Sequence, residues 1–462
     1  MNRQDIKQVY FLGIGGIGMS ALARFFLAAG ITVAGYDRSS TPLTDALRKE
    51  GMHIHFDDDV DSIPARFKSA AEKEGTLIVL TPAIPPHHTG LGFFRSEGYR
   101  ILKRSEVLGL ITAQQTTFAV AGTHGKTTTS SILAHILQVA GHNVSAFLGG
   151  ISVNFGSNLL LGDLSGDTHE IVVEADEFDR SFLTLFPEAA IITSMDADHL
   201  DIYGNQEEMH RNYRTFASQV KPDGFILRKY GLDTGPAAAR PLSYGLDNRK
   251  ADYSADHITV RDGRYHFHLV TPAYVLEDLT LGLPGRHNVE NAVAASALAI
   301  ERGVDLVSLK DALATYAGVQ RRFEYQVRRP DVVYIDDYAH HPAELKAAIL
   351  SARELYPGRK ICGAFQPHLY SRTRDFAEGF AESLSLLDTL YLLDIYPARE
   401  EPIAGVDAGI IFDRVSIADK HRVSKEELIR QLRLRRPEVF LTLGAGDIDQ
   451  LVLPVKTLLE KA

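Results

Sequence analysis

One local pattern recurs three times along the chain: a short run of β-branched residues, a turn, and an amphipathic helix. The three copies begin at Val9, Phe118 and Val332. Strands that alternate with helices form parallel sheets, because each helix returns the chain to the same end of the sheet. The sequence therefore predicts an α/β protein with three domains, each built on a mainly parallel sheet. The predicted boundaries are 1–105, 106–320 and 321–462, and a patch with period-two alternation at 265–270 suggests some antiparallel structure in the second domain.

Composition limits the class of protein. At 462 residues the chain is too long for one ordinary core, and 45% hydrophobic with 23% charged residues is typical of a globular protein. A net charge of −10 argues against a nucleic-acid partner. Cys362 is the single cysteine, which excludes an internal disulfide framework and fits a reducing compartment.

The first thirty residues superficially resemble a secretory signal, because Arg3 and Lys7 precede an apolar run. Glycines punctuate that run and Arg24 interrupts it, and a strand-like segment follows directly. A strand–loop–helix unit explains all of these features. Since no stretch reaches the roughly 20 apolar residues of a membrane helix, we expect a cytoplasmic protein without membrane insertion.

A glycine-rich loop lies between the first strand and the first helix. It contains Gly13, Gly15, Gly16 and Gly18, and Asp37 ends the next strand. This arrangement matches the dinucleotide fingerprint, in which glycines let the backbone approach a pyrophosphate at the helix N-terminus. Asp37 would accept hydrogen bonds from ribose hydroxyls. The segment alone does not distinguish a nicotinamide cofactor from another nucleotide diphosphate, and a tight structural turn is the other interpretation.

A second loop has the features of a P-loop. Its residues follow the strand-like FAVA and open a helix: Gly122, Thr123, His124, Gly125, Lys126, Thr127 and Thr128. In such loops the amides cradle a polyphosphate, the lysine reaches the terminal phosphates, and the hydroxyl after it binds Mg²⁺. Val120 stands where the usual longer motif has its first glycine. We therefore expect a P-loop ATPase-like second domain between Rossmann-like first and third domains.

Carboxylates that would complete a metal site follow two further apolar runs. Glu174 lies at the end of the run from Ile171, and a predicted strand from Ala190 to Met195 leads to Asp196 and His199. α/β sheets place ligands at the carboxyl ends of their strands. Oxygen and imidazole ligands suit Mg²⁺ or Mn²⁺. Asp196 has an alternative interpretation as a helix cap.

Seven segments occur in the order found in the Mur ligases. They are GTHGKTTT (122–129), VEADEFDRSFL (173–183), DADHLD (196–201), GRHNVENAVAA (285–295), GVQRRFE (318–324), DDYAHHP (336–342) and FQPHLYSRTRD (365–375). The chain therefore resembles the Mur ligase family over essentially its whole length. The GIGGIGMS opening and the HGKTTT form of the loop most resemble the member that adds L-alanine.

The resemblance implies an ATP-dependent ligase of peptidoglycan precursor synthesis. The first domain would bind UDP-N-acetylmuramate, the second ATP, and the third L-alanine, in a monomer or homodimer. The lactyl carboxylate would be activated as an acyl phosphate and then attacked by the amine. Lys126 and Thr127 would hold the ATP phosphates and Mg²⁺, Glu174 would complete that metal site, and His199 would bind a second Mg²⁺.

The resemblance also assigns residues around the reacting groups. His287 and Asn291 match positions near the nucleotide, and Arg322 matches a phosphate-facing arginine. The residues expected at the reaction centre and the amino acid are Asp337, Tyr338, His340, His368 and Arg372. Among these, His340 is the candidate base for the attacking amine.

Two departures from the family pattern concern charge. Leu369 stands where several members carry an arginine, so a second charged contact to the amino-acid carboxylate is in doubt. Residues 207–214 contain no lysine for the carbamylated residue that other members use. Three alternatives stay open: a family member that adds a recycled tripeptide, a nicotinamide-dependent dehydrogenase suggested by the first loop alone, and a P-loop switch or motor.

Overall fold

The computed structural model describes residues 6–113, 115–165, 169–196, 203–261, 263–398 and 400–461. Within these residues the strands form three sheets that are mainly parallel, so the predicted α/β class is confirmed. The chain divides into two compact units. The first comprises Met1–Ser254, Leu269–Val275 and Asn291–Leu313, and the second comprises Ala255–His268, Leu276–Glu290 and Ala314–Ala462.

The first unit begins with a five-stranded sheet in the order β3-β2-β1-β4-β5, in which every neighbouring pair is parallel. Its elements are β1 (Gln8–Leu12), α1 (Ile17–Ala28), β2 (Thr32–Tyr36), α2 (Pro42–Lys49), β3 (His53–His55), β4 (Thr76–Leu80), α3 (Thr89–Ser96), β5 (Arg100–Lys103) and α4 (Arg104–Thr112). The predicted strand–turn–helix unit is present, and β1 begins at Gln8, one residue before the predicted start at Val9.

Alternate residues of β1 serve two different cores. Val9 and Phe11 are buried in one cluster with Phe25 of α1, whereas Tyr10 packs in another with Phe94 of α3, at 5.0 Å between ring centroids. Successive side chains of a strand point to opposite faces, so helices on both faces bury the whole strand. This burial explains why β1 is a continuous apolar run rather than an alternating one.

The first unit also contains a set of strands in the order β12-β11-β10-β6-β9-β7-β8, parallel except for the β7–β8 pair. The elements are β6 (Thr116–Ala121), α5 (Lys126–Val139), β7 (Val144–Ser152), β8 (Ser157–Leu160), β9 (Glu170–Ala175), β10 (Ala189–Ile192), α6 (Gln206–Ser218), β11 (Phe225–Lys229) and β12 (Arg240–Leu246). Because β6 lies between β9 and β10, their three carboxyl ends meet at one edge.

Strand β10 is shorter than the sequence predicted. It ends at Ile192 rather than Met195. The Thr193 hydroxyl donates to the carbonyls of Ala121 and His124, and the Ser194 hydroxyl accepts from the His124 amide. The residues after the strand therefore leave the sheet because they hydrogen-bond to the P-loop.

The remaining elements include the third sheet, which lies in the second unit. In chain order they are β13 (Tyr253–Arg261), β14 (Arg264–Val270), β15 (Val275–Leu281), α7 (Arg286–Glu301), α8 (Leu306–Thr315), β16 (Glu324–Arg328), β17 (Val333–Asp337), α9 (Pro342–Leu355), β18 (Ile361–Phe365), α10 (Tyr370–Asp375), α11 (Ala377–Leu384), β19 (Thr389–Leu392), α12 (Gly409–Phe412), β20 (Lys420–Arg422), α13 (Lys425–Leu434), β21 (Val439–Leu443) and α14 (Val452–Glu460). The sheet order is β16-β17-β21-β18-β19-β20, with only β16 antiparallel to its neighbour. Strands β13 to β15 are adjacent in the order β15-β14-β13.

The predicted domain boundaries remain predictions. The first predicted boundary falls inside helix α4, Arg104–Thr112, and the two compact units divide the chain at other positions. Among the described helices, none combines the length and the apolar character that a membrane crossing requires.

Candidate active site

The glycine loop of the first sheet is held by backbone and carboxylate contacts. The amides of Gly13 and Ile14 donate to the Tyr36 carbonyl, and the Gly15 amide donates to Asp37 Oδ2 at 2.7 Å. Asp37 Oδ1 accepts from the Arg38 amide. Asp37 thus fixes the shape of the loop, and its remaining lone pairs are those that the predicted ribose contacts would use.

Gly16 and Gly18 lie at the N-terminus of α1, where Gly16 is the cap residue. A Cβ atom at Gly18 would lie 3.0 Å from Nη1 of Arg104, so this guanidinium lies over the first turn of α1. Arg104 also lies 3.6 Å from Asp176 Oδ2. Arg104 is not among the residues predicted from the sequence, and it adds a cation to a helix N-terminus already suited to an anion.

Two glycines of the P-loop have backbone conformations that other residues rarely adopt. Gly122 has φ +134°, and a Cβ atom there would overlap the Thr193 hydroxyl. Gly125 has φ +78° and caps α5, and a Cβ atom there would lie 2.6 Å from Oδ1 of Asn291. The loop therefore passes close to its neighbours in a shape that glycine permits, as a tight phosphate-binding loop requires. Asn291, which was predicted to lie near the nucleotide, lies beside this loop.

Lys126 is held by a buried carboxylate that the sequence analysis did not assign. Its Nζ lies 2.7 Å from Glu177 Oε2 and donates to the Gly122 carbonyl at 2.6 Å. Burial by itself would lower the pKa of Lys126, but the carboxylates of Glu177, Asp176 and Glu174 outweigh burial and raise the pKa above its ordinary value. Lys126 therefore carries a positive charge at the loop.

Glu174, the predicted metal ligand, is the penultimate residue of β9. Its Oε2 accepts a hydrogen bond from the Gly149 amide at 2.8 Å. A Cβ atom at Gly149 would overlap the Glu174 carboxylate, so the strand β7 passes this group at close range only because it has a glycine there. The carboxylate keeps oxygen lone pairs for a divalent cation.

The other P-loop residues are arranged around the start of α5. Thr127 and Thr128 are buried in its first turn. The Thr123 hydroxyl donates to the Asp196 carbonyl at 2.8 Å, and His124 Nε2 lies 3.5 Å from Asp196 Oδ2. Asp196, which comes after β10 in the chain, therefore lies beside the P-loop. His199, the predicted second metal ligand, lies outside the described residues.

In the second unit, two consecutive arginines surround a tyrosine. The guanidinium carbons of Arg321 and Arg322 lie 5.3 and 5.1 Å from the ring centroid of Tyr338. Arg321 also donates to Asp336 and to the Gly444 carbonyl, so it is a structural anchor. Arg322 lies 3.9 Å from a Glu344 oxygen and is the freer of the two cations, and its phosphate-facing role stays a prediction.

Asp337 ends β17 in a buried position. Its two oxygens accept from the amides of Phe323 and Ala339 at 2.8 and 2.7 Å. Burial raises the pKa of Asp337 to about 6, against the opposing effect of Arg322. The hydrogen bond from the Phe323 amide therefore holds the segment that contains Arg322 against the end of β17. The one from the Ala339 amide holds the residues that follow the strand.

His340 lies at the centre of a second group of side chains in this unit. Its Nδ1 is 3.0 Å from the Tyr338 carbonyl and 3.3 Å from Glu344 Oε2. Its ring centroid is 5.1 Å from that of Tyr338 and 6.1 Å from that of His368. Burial lowers the pKa of His340, and the nearby positive charge of Arg372 acts in the same direction. His340 is therefore a neutral base near pH 7.

His368 and Arg372 flank the start of α10. His368 stacks on Tyr396 at 5.8 Å between ring centroids, and Arg372 is buried in the helix itself. Leu369 precedes that helix with φ +70°, a conformation that turns the chain sharply between the two residues. The structure thus brings Tyr338, His340 and His368 together, as the sequence predicted.

His287 lies in the first turn of α7. Its Nδ1 is 3.5 Å from the Ser351 hydroxyl of α9. Desolvation lowers the pKa of His287 to about 4, with a further contribution from Arg322, so the ring is neutral. A neutral imidazole presents one donor and one acceptor, which suits contacts with a nucleotide rather than charge neutralisation.

The structure adds three charged residues to the predicted site: Arg104, Glu177 and Glu344. Glu344 could have been inferred, because it lies three residues after the helix cap His341 and closes a capping box with it. Glu177 carried a weaker signal, as one of three acidic residues after β9. Arg104 carried none, since its partners are distant in sequence.

Comparison with known proteins gives a consistent result. The sequence models that match are described as "Mur ligase family, catalytic domain" for residues 8–116, "Mur ligase middle domain" for 120–299, and "Mur ligase, glutamate ligase domain" for 321–446. Together they span most of the chain.

Relatives match over the full length. The UDP-N-acetylmuramate–L-alanine ligase of Parabacteroides distasonis is 51% identical, with 100% of this chain and 99% of the relative covered. That of Porphyromonas gingivalis is 52% identical, with coverage of 98% and 99%. A crystal structure of the UDP-N-acetylmuramate–alanine ligase from Thermotoga maritima superposes with a TM-score of 0.82 at 27% identity, covering 98% of this chain and 100% of that one.

A structure of a murein peptide ligase from Psychrobacter arcticus is also similar, with a TM-score of 0.70 and 99% of both chains covered. Its identity to this chain is 22%, so it shows a shared fold.

Proposed function

The chain belongs to the Mur ligase family, and we propose that it joins L-alanine to the lactyl carboxylate of UDP-N-acetylmuramate at the expense of ATP. The observation that carries this proposal is the full-length identity of about half to relatives that bear this activity in their names. The geometry supports it, because a nucleotide-type glycine loop, a P-loop and a His–Arg–Tyr group are all in place.

ATP fits the P-loop. The helix N-terminus that Gly125 caps would hold the polyphosphate, and the charged Lys126 would reach its terminal groups. Thr127 and Glu174 supply the hydroxyl and carboxylate oxygens that Mg²⁺ prefers. Bound Mg²⁺ would neutralise phosphate charge at this position.

Activation of the carboxylate is the first chemical requirement. A carboxylate and an amine do not form an amide near neutral pH unless the carboxylate carries a leaving group. A lactyl carboxylate oxygen attacks the γ-phosphorus of ATP, the bond to the β-bridging oxygen breaks, and ADP leaves. Because two anions meet, Lys126 serves by neutralising charge on the transferred group.

Amide formation is the second step. The amine of alanine attacks the acyl carbon, and inorganic phosphate leaves with its bonding electrons. The amine must first lose a proton, and His340 is the base that we assign, since its lowered pKa keeps it unprotonated. Arg372 would bind the alanine carboxylate, with His368 and Tyr338 forming the walls of the amino-acid pocket.

The UDP-sugar is assigned to the loop from Gly13 to Gly18. The N-terminus of α1 would bind the pyrophosphate, because the amides of Gly13, Ile14 and Gly15 already donate within the protein, and Arg104 adds positive charge there. Asp37 would contact the ribose with the lone pairs that Gly15 and Arg38 leave free.

One assay tests the proposed reaction. Phosphate release from ATP is measured with UDP-N-acetylmuramate and a series of amines: L-alanine, glycine, L-serine and a muramyl-type tripeptide. We expect the highest kcat/KM with L-alanine, and only modest rejection of glycine and serine, because one methyl or hydroxyl group is worth about 1–3 kcal/mol in a pocket. A tripeptide that outperforms alanine would assign the chain to tripeptide recycling.

The Glu174 carboxylate is expected to set the Mg²⁺ requirement. Glu174→Gln should raise the Mg²⁺ concentration for half-maximal activity, because a carboxylate ligand is lost. Gly149→Ala should have a similar effect, since the new Cβ displaces the same carboxylate. Mg²⁺ titrations of the ligation rate measure both, with Gly92→Ala, a helical glycine that has open space around it, as the control for glycine substitution. Curves for both variants that overlay the parent would show that Glu174 is structural.

Arg372 is expected to determine alanine binding. Arg372→Lys should raise the KM for alanine more than it lowers kcat, because a guanidinium binds a carboxylate through two hydrogen bonds and an ammonium offers a point charge. Steady-state kinetics with varied alanine measure this split. Leu369→Met is the control, and its alanine KM should stay near that of the parent. An unchanged KM in Arg372→Lys would contradict the assignment.

A further inference from the structure

Strands β13 and β14 carry a cluster of potential metal ligands that the ligase reaction does not use. The cluster consists of Asp256 and His257 on β13 and His268 on β14. All three lie in the second unit and belong to none of the seven family segments. Their donor atoms are Asp256 Oδ1 and one ring nitrogen from each histidine.

The backbone is distorted at this cluster. His257 has φ +51°, in the left-handed region, although it lies within a strand. Neighbouring side chains of a regular strand point to opposite faces, so Asp256 and His257 would ordinarily be separated by the sheet. Here the distortion lets His257 Nδ1 come within 2.9 Å of Asp256 Oδ1. A left-handed residue other than glycine is uncommon, and such conformations concentrate at functional sites.

The distances fit a small cation after slight side-chain rotation. His268 Nδ1 lies 4.0 Å from Asp256 Oδ1, and the two histidine rings stack at 4.7 Å with an interplanar angle of 23°. The three donor atoms all lie within 4.8 Å of one another. In a tetrahedral site with bonds of about 2.0–2.1 Å, ligand atoms are roughly 3.3–3.5 Å apart. The cluster is therefore close to a metal-binding arrangement before any metal enters.

The donor set selects the class of ion. Two imidazoles and one carboxylate suit Zn²⁺ and other divalent first-row transition metals, whereas Mg²⁺ and Ca²⁺ take most of their ligands from oxygen atoms. Asp256 is 14% exposed, His268 29% and His257 65%. The carboxylate is thus anchored in the protein, while the outer histidine leaves room for water as a further ligand.

A neighbouring histidine differs in its surroundings. His266 lies on the same strand as His268, two residues away, so both side chains are on one face of β14. Its Nδ1 lies 3.5 Å from Asp278 Oδ1 and 3.2 Å from the Thr280 hydroxyl on β15. Asp278 is also paired with Arg261. His266 therefore provides a matched control for a histidine that lies outside the cluster.

We propose that Asp256, His257 and His268 form a binding site for one divalent transition-metal ion of the Zn²⁺ class, which links β13 to β14. The site is separate from the Mg²⁺ site assigned to Thr127 and Glu174. The ion cross-links the two strands, and it stabilises the folded chain more as a larger fraction of the sites is occupied.

The test uses the full-length chain without an affinity tag, treated with a chelator and studied without ATP or Mg²⁺. Zn²⁺ is titrated by calorimetry, and Co²⁺ is titrated by its visible absorption, which reports nitrogen and oxygen ligation directly. We expect one saturable site in the parent. His268→Ala and Asp256→Asn should weaken binding by about tenfold or more, because each removes a ligand. His266→Ala should bind as the parent does.

Two further measurements make the result specific. Glu174→Gln should retain the site, which would exclude the P-loop as the location of the bound ion. Thermal unfolding should show a Zn²⁺-dependent rise in Tm for the parent and His266→Ala but not for His268→Ala, and equal Tm values without metal would show that the variants are folded. Absence of saturable binding in the parent, or equal losses in His266→Ala and His268→Ala, would overturn the proposal.

Discussion

Replacing Lys126 by alanine is expected to lower the kcat of ligation by about 10²-fold or more, as loss of a major electrostatic stabiliser does. The Lys126 ammonium is charged, because three nearby carboxylates raise its pKa, and it lies at the loop that would hold the ATP phosphates. Binding of UDP-N-acetylmuramate should be nearly unchanged. The glycine loop assigned to that substrate belongs to a different sheet, the one that contains β1.

Two measurements check this expectation. Single-turnover phosphate release gives the rate of the chemical step, and calorimetry gives the affinity for UDP-N-acetylmuramate. Lys221→Ala is the control, since that lysine forms a partly exposed ion pair with Glu188 and should retain the parent rate. Loss of UDP-sugar binding in Lys126→Ala would mean that the two nucleotide sites are not independent.

The sequence was sufficient for those parts of the fold that depend on local periodicity. The three predicted units are present as β1–α1–β2, β6–α5 and β17–α9–β18. Each begins within two residues of its predicted start at Val9, Phe118 or Val332. Each combines an apolar run with a turn and an amphipathic helix, and these signals are contained in about thirty residues. The P-loop was predictable for the same reason, because its glycines and lysine are adjacent in the chain.

Contacts between distant residues were beyond the reach of the sequence. Glu177 meets Lys126 across 51 positions, and Gly149 leaves space for a carboxylate 25 positions away. The early end of β10 has a similar origin, since Thr193 and Ser194 turn to the P-loop 69 and 70 positions before them. These features follow from how strands are ordered in the sheet, and strand order is not encoded in local patterns.

In the second unit, backbone conformation limited what the sequence could show. Arg321 and Phe323 both have positive φ, so the intervening Arg322 projects differently from its neighbours. The RRFE segment gave no reason to distinguish the two arginines by geometry. The structure does, because Arg321 is tied to Asp336 and Gly444 while Arg322 lies over Tyr338.

The buried ion pair of the P-loop leads to the second large prediction. The side chains of Lys126 and Glu177 are only 12% and 2% exposed. Glu177→Leu would leave a buried ammonium without its principal counter-charge, although the Gly122 and Thr123 carbonyls would still accept hydrogen bonds from it. Removing one partner of a buried pair costs about 3–5 kcal/mol, and we expect a loss near the lower end of that range.

The single variants Lys126→Met and Glu177→Leu and the double variant together show whether the two residues contribute to stability as a coupled pair or independently. Lys126→Met with Glu177→Leu should be more stable than Glu177→Leu alone, because replacing both charges by apolar groups removes their desolvation cost together with their attraction. Urea unfolding of the ATP-free protein measures the free energy of unfolding of each variant. Glu188→Leu, which breaks the partly exposed pair with Lys221, is the control and should cost less than about 1 kcal/mol. If the double variant lost the sum of the two single losses, Lys126 and Glu177 would contribute independently, and the loop would be held by its backbone contacts alone.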